Sequence, residues 1–348
     1  MLAALYDRFR APLTVREVPP PELRDDAVVV AVRACGICRS DWHGWMGHDA
    51  DIRLPHVPGH ELAGIVLRCG AAVRCWRAGD RVTAPFCCGC GNCPECHSGN
   101  HQVCDVYTQP GFTHWGAFAE QVEIRHADTN LVHLPDRIDF IAAASLGCRF
   151  ATAFRAVVDR GRTRAGDWVV VYGCGGVGLS AVMIAKAIGG RVIAVDVRAD
   201  RLDVARALGA EETVDADKMD AVERVRAITG RGASVAIDAL GSHATSAAAL
   251  RSLAKRGRHV QVGLLLGDQA APALPMDLVI SRELEILGSH GLAAPDYRRL
   301  FELLDDGHID PRRLVSDVVS LGEGADLLGR FHEFPHRGVT VIGFPGST

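Results

Sequence analysis

Trp168-Val169-Val170-Val171-Tyr172-Gly173-Cys174-Gly175-Gly176-Val177-Gly178 is the stretch that decides the fold. An apolar run of strand length meets a cluster of glycines, and a pattern of helical spacing follows from Val177 to Ile188. Glycines at such a strand-to-helix junction let the backbone turn sharply and approach a pyrophosphate, whose charge then meets the helix N-terminus. A purely structural glycine turn is the competing reading, and the flanking strand and helix weigh against it.

Outward from this junction the pattern alternates. Strands are expected at Trp168–Tyr172, Arg191–Asp196, Ala233–Asp238, Arg258–Leu264 and Leu284–Gly288, with helices at Val177–Ile188, Arg201–Leu208, Ala221–Ile228 and His243–Leu253. Alternation of this kind calls for a parallel sheet with helices on both faces, a doubly wound dinucleotide fold. Asp196 closes the second strand where an acid accepts from the adenosine ribose hydroxyls and repels a 2′-phosphate, which favours NAD over NADP. Arg198 and Arg201 stand close by, and either could meet a phosphate instead.

Upstream of about Asp80 the apolar runs are short and broken by Pro and Gly, as in Ala27–Ala34 and Leu62–Arg68, so a mainly β domain is expected there. The tail returns to a helix at Tyr297–Leu304, a strand at Val315–Val319, a helix at Ala325–Phe331 and a closing strand at Gly338–Phe344, and is expected to rejoin the first domain. The resulting division is 1–149, 150–288 and 289–348.

A chain of 348 residues with net charge −4 and no long basic run argues against a nucleic-acid partner. The opening Met1–Arg8 has no apolar core of a secretory segment, and the longest apolar runs are read as strand-sized, so no membrane span and a cytoplasmic location are expected. All 12 cysteines fall at or before Cys174. Clustered cysteines in a larger intracellular chain bind metal more often than they form disulfides.

Cys90-Gly91-Asn92-Cys93-Pro94-Glu95-Cys96, followed by Cys104, offers four thiolates at spacings that wrap a tetrahedral zinc. Four protein ligands leave no open position, which makes the site structural. An iron–sulfur cluster takes four cysteines at overlapping spacings. Cys87 and Cys88 are set aside as spare thiols. A second candidate is half a site: Cys38 and His60, with Asp41 and Glu61 beside them as possible outer carboxylates.

Taken together, Gly36-Ile37-Cys38-Arg39-Ser40-Asp41 with His43, Gly59-His60-Glu61 with Gly64, Gly70 and Val73, the four-cysteine lobe, and Gly173–Gly178 resemble the zinc-dependent medium-chain alcohol dehydrogenase family along essentially the whole chain. The resemblance implies a Rossmann cofactor domain inserted in a β-rich, GroES-like catalytic domain. It implies two zinc ions per chain and NAD. The third catalytic ligand falls on Cys148, which completes Cys38 and His60. Polyol and threonine dehydrogenases of the superfamily usually carry a carboxylate there, so Cys148 favours the simple-alcohol branch.

By the same resemblance Ser40 accepts the hydroxyl proton and His43 passes it on, Asp41 orients His60, and Glu61 lies behind the metal. Arg39 reaches the cofactor pyrophosphate. Thr152 and the backbone of Val262 and Leu264 hold the nicotinamide, and Gly173, Gly175, Gly176, Val177, Gly178, Asp196 and Arg201 hold the rest of the dinucleotide. Arg149 departs from the pattern, since a smaller residue is expected there. Phe86 lines the pocket in relatives, and Trp45 and Trp115 are further pocket candidates, which would suit a hydrophobic alcohol or its aldehyde or ketone. A homo-oligomer, tetramer or dimer, is expected by analogy. The alternatives are a zinc dehydrogenase of polyols, amino alcohols or specialised metabolites, and a zinc- and nucleotide-binding protein without turnover.

Overall fold

The protein is described from a computed structural model that covers residues 1–305, 307, 309–331 and 338–347. Two units separate by their internal packing: residues Met1–Cys148, Gly291–Arg299 and Pro311–Thr348, and residues Arg149–His290 and Leu300–Asp310.

The first unit is built on a sheet whose spine is Val28–Ile37, a ten-residue strand rich in β-branched residues and buried along nearly its whole length. Glu61–Cys69 pairs antiparallel with it from Val28 opposite Cys69 to Gly36 opposite Glu61. Arg81–Thr83 and Val132–His133 extend the sheet beyond Glu61–Cys69. Gln121–Ile124 pairs with the outer half of the spine. On the other side the closing strand Val339–Gly343 pairs antiparallel with the spine, Thr340 opposite Ile37, and Val315–Val319 joins it in parallel. The tail therefore returns to the first unit through its strands. Residues Leu300–Asp310, expected in the same return, belong to the second unit instead.

The pairing of Gly36 with Glu61 has a direct consequence for the site. Both strands end there, so Cys38 and His60 leave the same edge of the sheet.

In the second unit the strands run in parallel in the spatial order Glu212–Asp215, Arg191–Asp196, Trp168–Tyr172, Ala233–Asp238, Leu253–Gln261, Glu285–Gly288. Chain order reverses between Trp168–Tyr172 and Ala233–Asp238, and ligands of such sheets bind at that switch point, beyond the carboxyl ends of the strands. Three of the expected strands have the residue bounds read from the sequence. The fourth begins at Leu253 rather than Arg258, because Leu253 pairs with Ala233 ahead of a bulge, after which pairing resumes at Arg258 opposite Val235. The helix expected at Ala325–Phe331 is Leu321–Gly329, since Ser320 and Glu323 form a reciprocal capping box that starts it earlier.

The helical run Phe140–Arg160 corrects the reading that all apolar runs are strand-sized. It is 21 residues long with mean hydropathy 1.4, enough by length and composition to cross a membrane. Its most apolar window is 89% buried within the protein, as a core helix would be. Two stretches of it, Leu146–Phe150 and Arg155–Arg160, are wound as π-helix, a local distortion frequent at functional sites.

Candidate active site

Cys38, His60, Glu61 and Cys148 come together in the first unit, all buried, with their ligand atoms within 4.8 Å of one another. Each is set by a different local device. Cys38 caps the short helix Arg39–Trp45, and its N–H donates to Asp41 Oδ2 at 2.9 Å. Asp41 Oδ1 accepts from the Gly59 N–H at 3.0 Å and meets His60 Nδ1 at 2.9 Å. One buried carboxylate therefore holds both arms of the opening Cys38–Glu61 stretch. His60 Nδ1 is engaged by an acceptor, so it carries the ring proton of the neutral form and leaves Nε2 with its lone pair. Nε2 is buried with no hydrogen-bond partner among the described residues.

Burial disfavours the charged His60 ring. The Asp41 carboxylate and the Cys38 sulfur override it, so without a metal the pKa stands well above the usual histidine value. A cation is what this pocket favours at Nε2: a proton in one case, a metal ion in the other.

Cys148 sits in the π-helical turn, and the turn is anchored by Tyr297, whose fully buried hydroxyl donates to the Gly147 carbonyl at 2.9 Å. Gly147 must be small, since a side chain there would start 3.0 Å from the Glu61 Cα. Two imidazole–aromatic contacts wall the cluster: Phe86 at 6.1 Å and Phe112 at 5.5 Å from the His60 ring, both edge-on. Phe86 also packs with Cys38, Cys87 and Cys148.

The other proposed pocket aromatics lie elsewhere. Trp45 is a core residue whose indole N–H donates to the Ala11 carbonyl, and Trp115 packs against the same core with its N–H on the Pro55 carbonyl. Both follow from the amphipathic nature of indole, which buries its rings where its N–H finds an acceptor. Phe112 and Tyr297 escaped the sequence reading, because neither lies in a motif and only tertiary packing brings them to the ligands.

Ser40 stands beside Cys38, its Oγ 3.8 Å from the sulfur. His43 is half-buried, and its Nδ1 meets Nδ1 of the exposed His48 at 3.0 Å. Burial, then Arg39, then His48 push the His43 pKa down to about 4, so the ring is neutral near pH 7. Arg39 is the exposed first residue of its helix. His48 is a third residue the sequence reading missed.

The four-cysteine lobe closes as its spacing suggests: the sulfurs of Cys90, Cys93, Cys96 and Cys104 lie within 4.8 Å of one another. Backbone N–H groups aim at them, from Cys90 to the Cys104 sulfur, from Asn92 to Cys90 and from Cys96 to Cys93. The Cys96 N–H above all lowers the Cys93 pKa to about 6, while burial raises Cys96 to about 12, so one thiolate is formed before any metal arrives. Asn130 clamps the lobe by accepting from the Gly89 N–H and donating to the Gly89 carbonyl, each at 2.8 Å. Cys87 and Cys88 are buried thiols kept neutral by burial, Cys88 at about 12.

In the second unit the glycine loop divides its labour residue by residue. Gly173 has φ of +92°, a conformation glycine adopts freely. At Gly175 a side chain would enter open space, so the backbone there is approachable. At Gly178 it would collide with the Gly173 carbonyl, which fixes helix against strand. Val177 lies in the first turn of the helix Gly176–Ala187, whose N-cap has no side-chain hydrogen bond. Asp196 receives the Cys174 N–H at 2.7 Å and the Arg198 N–H at 3.0 Å, and Arg201 pairs with it at 4.0 Å. Thr152 Oγ1 is buried without a partner among the described residues. Val262 and Gly263 both donate to the Asp238 carbonyl, which fixes the loop carrying the exposed Leu264. The glycine loop, the Asp196–Arg198 turn and the Val262–Leu264 loop follow the carboxyl ends of Trp168–Tyr172, Arg191–Asp196 and Leu253–Gln261.

Residues 24–136 match the alcohol dehydrogenase GroES-like domain, and residues 176–306 match the zinc-binding dehydrogenase domain. An alcohol dehydrogenase of Geobacillus stearothermophilus is 32% identical over 98% of this chain and 99% of its own. The chain belongs to the zinc-dependent medium-chain alcohol dehydrogenase family. A sorbitol dehydrogenase of Bacillus subtilis is 31% identical to this dehydrogenase over 99% of the chain and 97% of its own. Among solved structures, an alcohol dehydrogenase of Thermus sp. ATN1 superposes on it with a TM-score of 0.91 at 29% identity, covering 99% of each chain. The enzyme is thus an oxidoreductase of small molecules in a family that binds zinc and NAD(P), with a GroES-like domain and a Rossmann-type domain.

Proposed function

We propose that the enzyme oxidises a hydrophobic primary or secondary alcohol reversibly to its aldehyde or ketone, with NAD as hydride acceptor. The observation that carries this reading is the orphaned Nε2 of His60, facing two sulfurs between the apolar walls Phe86 and Phe112. Cys38, His60 and Cys148 fit a zinc ion with three protein ligands, and the lobe of Cys90, Cys93, Cys96 and Cys104 fits a second, saturated one. The catalytic zinc supplies a Lewis acid that favours the deprotonated alcohol.

The chain's own residues do the rest. Asp41 keeps Nδ1 of His60 protonated and the ring in place. Ser40 takes the hydroxyl proton, and His43, neutral near pH 7, accepts it for transfer outward. Glu61 lies behind the ligands as a negative charge. Phe86 and Phe112 exclude water from the reacting carbon. Arg39 pairs with the cofactor diphosphate, Thr152, Val262 and Leu264 hold the nicotinamide, and Asp196 accepts from the ribose, with Arg201 paired to it. A cytoplasmic homo-oligomer completes the reading.

The sorbitol dehydrogenase relative supports a second reading, a zinc dehydrogenase of polyols. A profile of alcohols, diols and sugar alcohols with NAD and NADP separates the two. Turnover of hydrophobic alcohols with NAD is expected, and activity confined to polyols would sink the first reading.

A further inference from the structure

At the amino-terminal ends of the strands of the second unit, opposite the end that carries the glycine loop, lie two neighbouring cavities of different charge. Three ion pairs cross the first, which measures about 430 Å³: Arg162 with Glu285, Arg258 with Asp167 at 3.8 Å and Arg256 with Glu283 at 4.0 Å. The second, about 310 Å³, is lined by Arg226, Gly230, Arg231, Lys255 and Arg282, and among the described residues no carboxylate lines it. Two turns divide the cavities. Lys255 and Arg282 line the second, and the residues that follow them, Arg256 and Glu283, line the first with left-handed backbone, φ +61° and +49°. The Arg256 N–H donates to the Arg282 carbonyl at 2.7 Å and ties the two turns together.

Backbone contacts explain two of the four cations. Nε and Nη2 of Arg226 donate to the Arg251 carbonyl at 3.2 and 2.7 Å, at the end of the helix His243–Arg251, and Nη1 of Arg282 donates to the Leu253 carbonyl at 3.1 Å. A carbonyl holds a guanidinium in place without cancelling its charge, so both arginines are preset with N–H groups to spare. Arg231 and Lys255 are exposed and make no side-chain hydrogen bond or ion pair among the described residues. In a chain of net charge −4, four cations around one cavity do not reflect composition. A cleft lined by one sign of charge concentrates counter-ions, and four cations that repel one another are all stabilised by sharing an anion of two or more charges. The planar fork of arginine matches phosphate, and the volume suits a small molecule.

We propose that the second cavity binds the phosphate group of a small phosphorylated metabolite, at the opposite end of the sheet from the dinucleotide. The first cavity is the internal control, since its arginines already have carboxylates.

The test is calorimetric titration of the zinc-loaded enzyme with inorganic phosphate at low ionic strength, with NADH present to occupy the glycine loop. One phosphate per chain is expected, with Kd on the order of 1 mM or tighter. Arg231→Gln combined with Lys255→Gln should weaken it by about tenfold or more and leave the melting temperature in phosphate-free buffer unchanged, since neither side chain supports the fold. Lys255→Glu, which supplies the missing carboxylate, should abolish binding. Arg162→Gln, in the first cavity, should leave it unchanged. No phosphate bound to the wild type overturns the proposal, and so does wild-type affinity in the double variant or an equal loss in Arg162→Gln. Phosphate that binds only when NADH is omitted belongs to the glycine loop and overturns it too. Binding of a single-stranded DNA oligonucleotide without binding of phosphate would mark a surface for polymers and refute the small-molecule site.

Discussion

The lobe takes its four sulfurs from the single stretch 90–104, whereas the other metal cluster gathers Cys38, His60, Glu61 and Cys148 from segments far apart in the chain. In the lobe, backbone N–H groups of neighbouring residues orient the sulfurs, and Cys90 and Cys93 are only half-buried. In the other cluster every member is buried, and the orienting groups, Asp41 and Tyr297, arrive from elsewhere in the unit. Local construction closes on itself and fills all four positions. Construction from distant segments lets the fold decide how many ligands converge, and on the proposed assignment of Cys38, His60 and Cys148 it leaves one position for chemistry. The first cluster should therefore govern stability and the second activity.

A pair of substitutions tests that division most severely. Cys148→Ala should lower kcat by roughly a thousandfold, since a Lewis acid contributes several kcal/mol to the barrier. Metal analysis should find the zinc of the lobe retained and the melting temperature little changed. Cys104→Ser should do the reverse, lowering the melting temperature by on the order of 10 °C through loss of a structural ligand, while the protein that stays folded keeps its kcat. A Cys148→Ala variant with full turnover would remove it from the ligand set, and a Cys104→Ser variant with wild-type stability would make the lobe dispensable.

Asp41 sharpens the contrast, because it orients ligands only in the distant cluster. Asp41→Asn keeps the shape but offers one acceptor oxygen where the carboxylate serves the Cys38 and Gly59 N–H groups and His60 together. Partners of this kind typically change metal affinity or activity by about 10–100-fold. Zinc affinity measured by competition with a chelator should fall by that order at the catalytic site and remain unchanged at the lobe.

What could be read from the chain follows the same division between local and distant. The lobe was legible from spacing alone, and the strand bounds Trp168–Tyr172, Arg191–Asp196 and Ala233–Asp238 from apolar runs that end in glycine or a charge. Cys148 was reached only through the resemblance, for nothing in Leu146-Gly147-Cys148 announces a ligand. Phe112 and Tyr297 were not reached, because each owes its place to packing between remote segments, and His48 was not reached because it lies in no motif although it meets the nearby His43. The start of the helix Leu321–Gly329 was placed too late although its signal was present: Ser320-Leu321-Gly322-Glu323 is a capping box, and its two interior positions carry too little periodicity to draw attention to it. The two pocket tryptophans pack with the core instead of the ligand cluster, Trp45 within it and Trp115 against it, since an aromatic near a motif is more often core.

The smallest expected effect concerns a histidine without a carboxylate. His60 has Asp41 beside it and is pushed up. His114, bonded through its two nitrogens to Thr113 Oγ1 and the Glu123 carbonyl, is pushed down to about 3 by burial first and by Arg125 second. A lowered pKa means that the unfolded chain takes up the proton more readily than the folded one. The stability owed to the neutral His114 ring is therefore complete above pH 6.5 and declines as the pH falls below it, until the folded ring also protonates near pH 3. At pH 5 the deficit reaches about 2 kcal/mol, from roughly 1.4 kcal/mol per pH unit. Urea denaturation of the zinc-loaded enzyme at pH 7 and pH 5 should show the wild type losing about that much more than His114→Gln. Equal losses in the two proteins would mean that the ring is charged in the fold, and that burial alone does not separate His114 from His60.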